Sequence, residues 1–398
     1  MSRFARARDD AQRATTLELF YDLVFVFAIT QISHLLLQNL TWSGVGQSVV
    51  VLLAVWWSWN YTTWVTNELD PRSIVVRLLL IALMLASLLM AIAIPEAFGA
   101  KGLLFAGSYV AIQVGRHLFL TFVAADPGTM ERLRAGRILI WFLAAGALWI
   151  AGGLADGSTR TVLWLAALAL DYVAPVVTFW VPGLPRVRPE AWNVGSGHFA
   201  ERFQLFIIIA LGETIVVTGA TTSELDLTTA RIFALVLAFL ATAALWWLYF
   251  SLVATIAERR LALAENRTVL ARDAYTYLHV VIVAGILLSA VGDELVIAHP
   301  TEQLPDAEVA VVVSGPALYL LAHVALRLRM TGTIGGRRFA GALACLAIGA
   351  IGTFASALVV TSLLLVVLVA VIVGDYVAAS RRRSRGEPSP LERLETAG

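Results

Sequence analysis

Long uninterrupted apolar runs constrain this chain more than any other feature. A run of 18 or more residues with few charges is long enough to cross a bilayer as a helix. Twelve such blocks are read here, at 17–38, 45–66, 73–94, 102–124, 136–154, 161–181, 199–220, 230–254, 273–292, 308–328, 338–356 and 358–379. Strands of a membrane barrel would be shorter and would alternate in polarity, so they do not fit. The first block is no cleavable signal, because it is long, carries Glu18 and Asp22, and lacks a following small-residue cleavage site. With 59% hydrophobic and 14% charged residues, the chain lies far from a soluble domain, which is about one quarter charged. The expected fold is all-α, a polytopic integral membrane protein of about twelve transmembrane helices.

Arginine placement sets the expected orientation. With the N-terminus cytoplasmic, one side collects Arg3, Arg6, Arg8, Arg13, Arg72, Arg132, Arg134, Arg186, Arg188, Arg259, Arg260 and Arg267. It also collects Arg329, Arg337, Arg381, Arg382, Arg383, Arg385 and Arg393, against little more than Lys101, Arg160 and Arg231 opposite. That bias puts both termini inside the cell. The net charge of +1 is partitioned by side and gives no support to nucleic-acid binding. Cys345 is the single cysteine, so no intrachain disulfide or cysteine-based metal site forms.

The two halves echo one another. "ELFYDLVFVFAIT" from Glu18 aligns with "ERFQLFIIIALGE" from Glu201, and "LAVWWSWNY" resembles "TAALWWLYF". "GRHLFL" and "LAHVAL" match His117 with His323; "LALDYVAP" and "VIVGDYVAA" match Asp171 with Asp375. The order is kept, which points to a duplicated six-helix unit. Six is even, so the expected repeats are parallel, an architecture that recurs in secondary transporters. The expected organisation is a basic segment 1–16, repeats at 17–190 and 191–380, and a disordered cytoplasmic tail at 381–398.

Two framework segments, "LELFYDLVFVFAITQISHLL" and "HFAERFQLFIIIALGETIVV", resemble the paired signatures of the bacterial low temperature requirement protein A family. The resemblance runs from about Thr15 to Ser380. It implies a multi-span membrane protein named for a cold-growth phenotype. Its polar positions fall here on Glu18, Asp22, Glu201, Arg202 and Glu213. The major facilitator pattern is rejected, because the loop "NELDPRSIVVR" has no glycine.

Charges inside a bilayer cost several kcal/mol and usually face a partner or a wet cavity, so depth sorts the candidates. Glu18 fits a capping box with Thr15. Asp22 lies one turn deeper, where capping does not reach; it is read as a proton or cation site or as a buried salt bridge. Glu213, twelve residues past Glu201, is read as a functional acid, with Gly212 permitting close packing or unwinding. Arg116 needs a counter-charge, with Asp171, Glu213 and Asp22 as the candidates. His117 reads as a satisfied interior histidine rather than a metal ligand, and with Asp22, Glu213, Arg116 and Asp171 it makes up the candidate transport or ion-binding set, to which Glu18 is secondary. Glu201, His279, His323 and Asp375 are secondary candidates, and Arg77 and Arg202 are expected to snorkel. His198 and Glu201 have the spacing for two metal ligands, but no second pair completes a site. Trp56-Trp57 and Trp246-Trp247 are read as packing pairs.

No catalytic module, catalytic residue, metal site or cofactor is expected. No phosphate-binding glycine loop, nucleophile elbow or zincin motif occurs. Three functions stay open: a transporter or channel-like permeation protein, a membrane-embedded enzyme acting on a lipid-like substrate, and a structural or sensory protein without turnover. The expected partners are membrane lipids and a small solute or ion, with a homo-oligomer compatible. The expected location is the bacterial plasma membrane.

Overall fold

The computed structural model describes residues 13–186 and 194–389, together with Phe4, Trp192 and Glu392. Arg3, Arg6, Arg8, Arg188 and Arg393 of the charge argument, and most of the two terminal segments, lie outside the described residues. The described residues are helical and form no strand beyond an isolated bridge between Gln303 and Ser356.

The helices begin where short polar side chains satisfy free amides. Thr15 starts α1 (Thr16–Gln38) with both halves of the capping box present. The Thr41 hydroxyl accepts from Gly44 N and starts α2 (Trp42–Glu68). α3 (Ile74–Glu96) and α4 (Gly102–Ala124) follow, and the second ends in a π-helical turn at Leu120–Ala124. Thr129 caps α5 (Met130–Leu154), and α6 (Gly157–Val173) comes next. After α7 (Ser196–Ser223), Thr228 caps α8 (Thr229–Ala262). Asn266 caps α9 (Arg267–Ala298). α10 (Asp306–Thr331) carries Pro316 inside it and stops at Gly332, whose φ of 67° no other residue adopts easily. α11 (Gly336–Gly352) and α12 (Ala357–Ser384) complete the chain, and Arg381–Arg383 form the last turn of α12.

Among the described residues, nine of these helices are long and apolar enough to cross a membrane. α6 and α11 have 17 residues each. α2 has 27, but its second half is rich in Trp, Ser, Asn, Tyr and Thr. Polarity is inverted relative to a soluble protein. Leu78, Ile81 and Leu85 on α3, and Val366 and Val373 on α12, are exposed. Glu18, Asp22, Arg116 and Arg202 have no exposed surface at all. Apolar outside and charged inside is the arrangement a hydrocarbon solvent selects.

The chain divides into two compact units, Met1–Arg202 and Phe203–Gly398. In the first, arginines act as carbonyl clamps. Arg160 donates to the carbonyls of Ala97, Gly99, Gly152 and Ala155 at 2.7–3.2 Å. Arg137 donates to Thr178, Phe179 and Pro185, fixing the turn after α6, where Thr178 and Phe179 take φ near +50°. In the second unit α9 and α10 cross at glycines. A Cβ on Gly285 would sit 2.7 Å from Tyr319 N, and one on Gly315 2.6 Å from Ser289 N. Small residues let the backbones meet, as membrane helix pairs favour. Gly212 is not such a point: it faces open space, and α7 runs through it unbroken, so neither expected role of this glycine is seen.

Candidate functional site

In the first unit a buried ionic cluster joins α1 to the first two turns of α7. Glu18 Oε2 accepts from the backbone N and hydroxyl of Thr15, both at 2.8 Å, so it caps its helix as expected. Its other oxygen has a second task. Glu18 Oε1 lies 2.8 Å from His198 Nε2 and 3.5 Å from Arg202 Nη1.

The tautomer of His198 follows from Asn67. The Asn67 carbonyl accepts from Gly195 N at 2.9 Å, and its amide donates to Gly195 O at 3.2 Å and reaches His198 Nδ1 at 3.0 Å. With Nδ1 accepting, a neutral ring carries its proton on Nε2 and donates it to Glu18.

One turn deeper, Asp22 Oδ1 accepts from Arg202 Nη2 and, at 2.8 Å, from Trp59 Nε1 on α2. Asp22 Oδ2 is buried and accepts no hydrogen bond among the described residues. Arg202 therefore does not snorkel: it is fully buried, with its guanidinium 5.9 Å over the Trp59 ring. The spacing of α1 explains the geometry, since residues four apart share a face and offer two carboxylates to one arginine. With His198 neutral, Glu18, Asp22 and Arg202 carry a formal charge of −1.

Arg116 on α4 overturns the expectation of an ion pair. Among the described residues it has no carboxylate within 4 Å. It donates instead to Thr62 Oγ1 at 2.9 Å, to Ser58 O at 3.3 Å and to Gln113 Oε1. Tyr61 and Phe142 lie 5.5 and 5.9 Å from its guanidinium carbon, within reach of cation–π attraction. Among the described residues Arg116 Nε and Gln113 Nε2 have no partner. Tyr21, next to Asp22, donates to the same Thr62 hydroxyl at 2.9 Å, so hydroxyls link Arg116 to the face that carries the carboxylates.

The other candidates in this unit separate from the cluster. Asp171 is held by Tyr109 OH at 2.7 Å and Trp149 Nε1 at 3.1 Å, a neutral cage in place of the expected arginine. His117 Nδ1 lies 2.9 Å from Gln113 O, the satisfied interior histidine expected of it. Glu201 accepts from Ala14 N at 2.7 Å and stands apart from the His198–Glu18 contact.

In the second unit Glu213 is buried on α7. His279 is bonded to Tyr249 OH and Ala274 O, both at 2.9 Å. His323 is buried with neither ring nitrogen hydrogen-bonded, its ring edge-on to Tyr319 at 4.4 Å. Asp375 pairs with Arg337 at 2.8 Å and Arg338 at 3.4 Å. The two Trp pairs differ: Trp56 and Trp57 are buried, while Trp246 and Trp247 are half exposed and face outward.

The buried carboxylate–arginine cluster is built from the two signature segments. The bacterial low temperature requirement A protein family matches residues 13–373. The chain belongs to that family. It is a membrane protein with multiple apolar helices. It is also 40% identical over 314 residues to an uncharacterized protein of Rhizobium meliloti (strain 1021), covering 78% of this chain and 76% of that one. No solved structure matches it.

Sequence reasoning passed over Trp59, Thr62, Tyr21 and Gln113, which shape the environments of Asp22 and Arg116. Their signal was present in "WWSWNYTT", where Trp59 and Thr62 are three apart and share a helix face.

Proposed function

We propose that this protein is a permeation protein of the transporter type, in which the Glu18–His198–Arg202–Asp22 cluster exchanges a proton. One observation carries the reading: the ionic cluster is buried and, among the described residues, leaves Asp22 Oδ2 without a donor. A proton arriving at Asp22 neutralises the carboxylate that holds Arg202, and its departure restores the pair. Such an exchange provides two states that a proton gradient can bias. In this reading Asp171, Arg116 and His117 belong to the polar interior of the first unit and Glu213 to that of the second, and a small solute or ion is the cargo.

The same reading takes all the apolar blocks as twelve spans in two parallel repeats. It places the protein in the bacterial plasma membrane with both termini cytoplasmic, on the strength of the arginine bias. Membrane lipids surround it, and a homo-oligomer is compatible.

The test uses proteoliposomes of the full chain with an internal pH-sensitive dye and an imposed membrane potential. Proton uptake in the wild type, lost in Asp22→Asn with folded protein retained, supports the reading. No uptake in the wild type sinks it. The closed Asp22–Arg202 pair favours a second reading, a structural latch without turnover. That reading expects loss of folded protein in Asp22→Asn and no proton flux in the wild type.

A further inference from the structure

We propose that the second unit holds a site for a monovalent cation of sodium size, built around Asp293. Asp293 lies on α9 next to Gly292, where an added Cβ would sit 3.0 Å from Val312 Cα on α10. It is 8% exposed and makes no hydrogen bond or ion pair among the described residues. An isolated carboxylate in such a place is costly unless something neutralises it.

The carboxylate opens on a cavity of about 20 Å³, which has room for one water-sized occupant. The lining sets four oxygen-bearing side chains, Asp293, Thr361, Ser289 and Thr242, against an apolar wall that includes Leu245, Leu364 and Leu368. Thr361 Oγ1 from α12 is buried and has no partner among the described residues. The Ser289 hydroxyl spends its proton on Gly285 O at 2.9 Å, leaving lone pairs toward other contacts. Thr242 is paired with Thr214 at 2.8 Å. Val312 lines the cavity too, four residues before Pro316. Proline has no N–H, so the Val312 carbonyl lacks its usual helical donor.

One carboxylate residue, three hydroxyl residues and the residue with the released carbonyl therefore line one cavity, from four helices. Oxygen ligands suit hard cations. The single formal negative charge matches a monovalent ion; a divalent ion would leave a net charge buried. Carbonyls freed at helix interruptions serve coupling ions in secondary transporters in the same way. The site is separate from the cluster on α1, and its occupancy is an equilibrium property that exists whether or not the protein moves a solute.

The test measures thermal stability of the full chain in nanodiscs against NaCl, with choline chloride holding ionic strength constant. Direct binding of radioactive sodium is measured alongside. Saturable binding and a rise in Tm with sodium are expected in the wild type, with both lost in Asp293→Asn. Thr361→Val, which keeps size and removes one oxygen ligand, should weaken sodium binding about tenfold or more. If Asp293→Asn does not fold, Thr361→Val alone decides. Equal responses to sodium and choline, binding that survives in Asp293→Asn, or unchanged affinity in Thr361→Val each overturn the proposal. A protonated Asp293 beside a trapped water would give the first of these results.

Discussion

Asp22→Asn is the most informative single change, because it keeps the shape of the side chain and removes one charge. The Asp22–Arg202 pair is wholly buried, so the variant leaves a guanidinium in a low-dielectric interior with Glu18 Oε1, 3.5 Å away, as its one carboxylate neighbour among the described residues. Breaking a buried pair by removing one partner costs about 3–5 kcal/mol. At about 2–4 °C per kcal/mol for a unit of this size, Tm falls by roughly 6–20 °C. Trp59 still finds an acceptor in the asparagine carbonyl, so that bond does not add to the loss. Arg202→Gln should cost a similar amount by stranding two carboxylates. The double variant removes both charges and should recover at least about 2 kcal/mol relative to the sum of the singles. The assay is thermal unfolding of detergent-solubilised protein, followed by intrinsic tryptophan fluorescence. A shift under about 2 °C in Asp22→Asn, or strict additivity in the double variant, would refute a coupled buried pair.

Arg116 should behave in the opposite way. Arg116→Met keeps the length and removes a buried charge with no carboxylate partner, so Tm should change by less than about 3 °C while activity in proteoliposomes is lost; a large fall in Tm would mean that the bonds to Thr62 and Gln113 dominate. Gly315→Ala should destabilise the second unit by about 1–3 kcal/mol, since the new Cβ would meet the Ser289 backbone at 2.6 Å; unfolding curves that match the wild type would show that α9 and α10 separate freely. Single cysteines placed at Glu392 and Asp306, in a Cys345→Ala background, should react with an impermeant maleimide from opposite sides of the membrane. Labelling of both from one side would overturn the proposed orientation.

The sequence and the structure part company at identifiable places. Helix positions were legible because hydrocarbon demands long apolar runs, and Thr15 with Glu18 announced a start whose capping bonds are present. The list of buried polar residues was legible too, since depth along a helix can be counted. Partnerships were not. Arg202 reaches Asp22 across 180 residues, and nothing local distinguishes it from an arginine that snorkels. Arg116 looked as if it required an acid because neutral oxygens and aromatic faces leave no charge pattern to read. Asp293 escaped notice for a simpler reason: the apolar block was ended at residue 292, whereas α9 continues to Ala298. Glycine spoke more reliably of close approach at 285 and 315 than at 212, because what matters is the neighbouring helix rather than the adjacent acid.

The composition of α2 has a consequence for how the chain is made. Ser58, Asn60, Thr62, Thr63 and Thr66 crowd its second half and are buried in the finished protein. A lone helix emerging from the ribosome would present these groups to lipid, and each raises the cost of partitioning. Two of the partners that offset this cost are synthesised first. Tyr21 bonds to Thr62 and Asp22 accepts from Trp59, so α1 carries waiting contacts as α2 appears. Arg116 and Arg202 arrive only later. In the proposed twelve-span arrangement, insertion of the first two helices as a hairpin would let these contacts form first and leave the buried charges to be joined last.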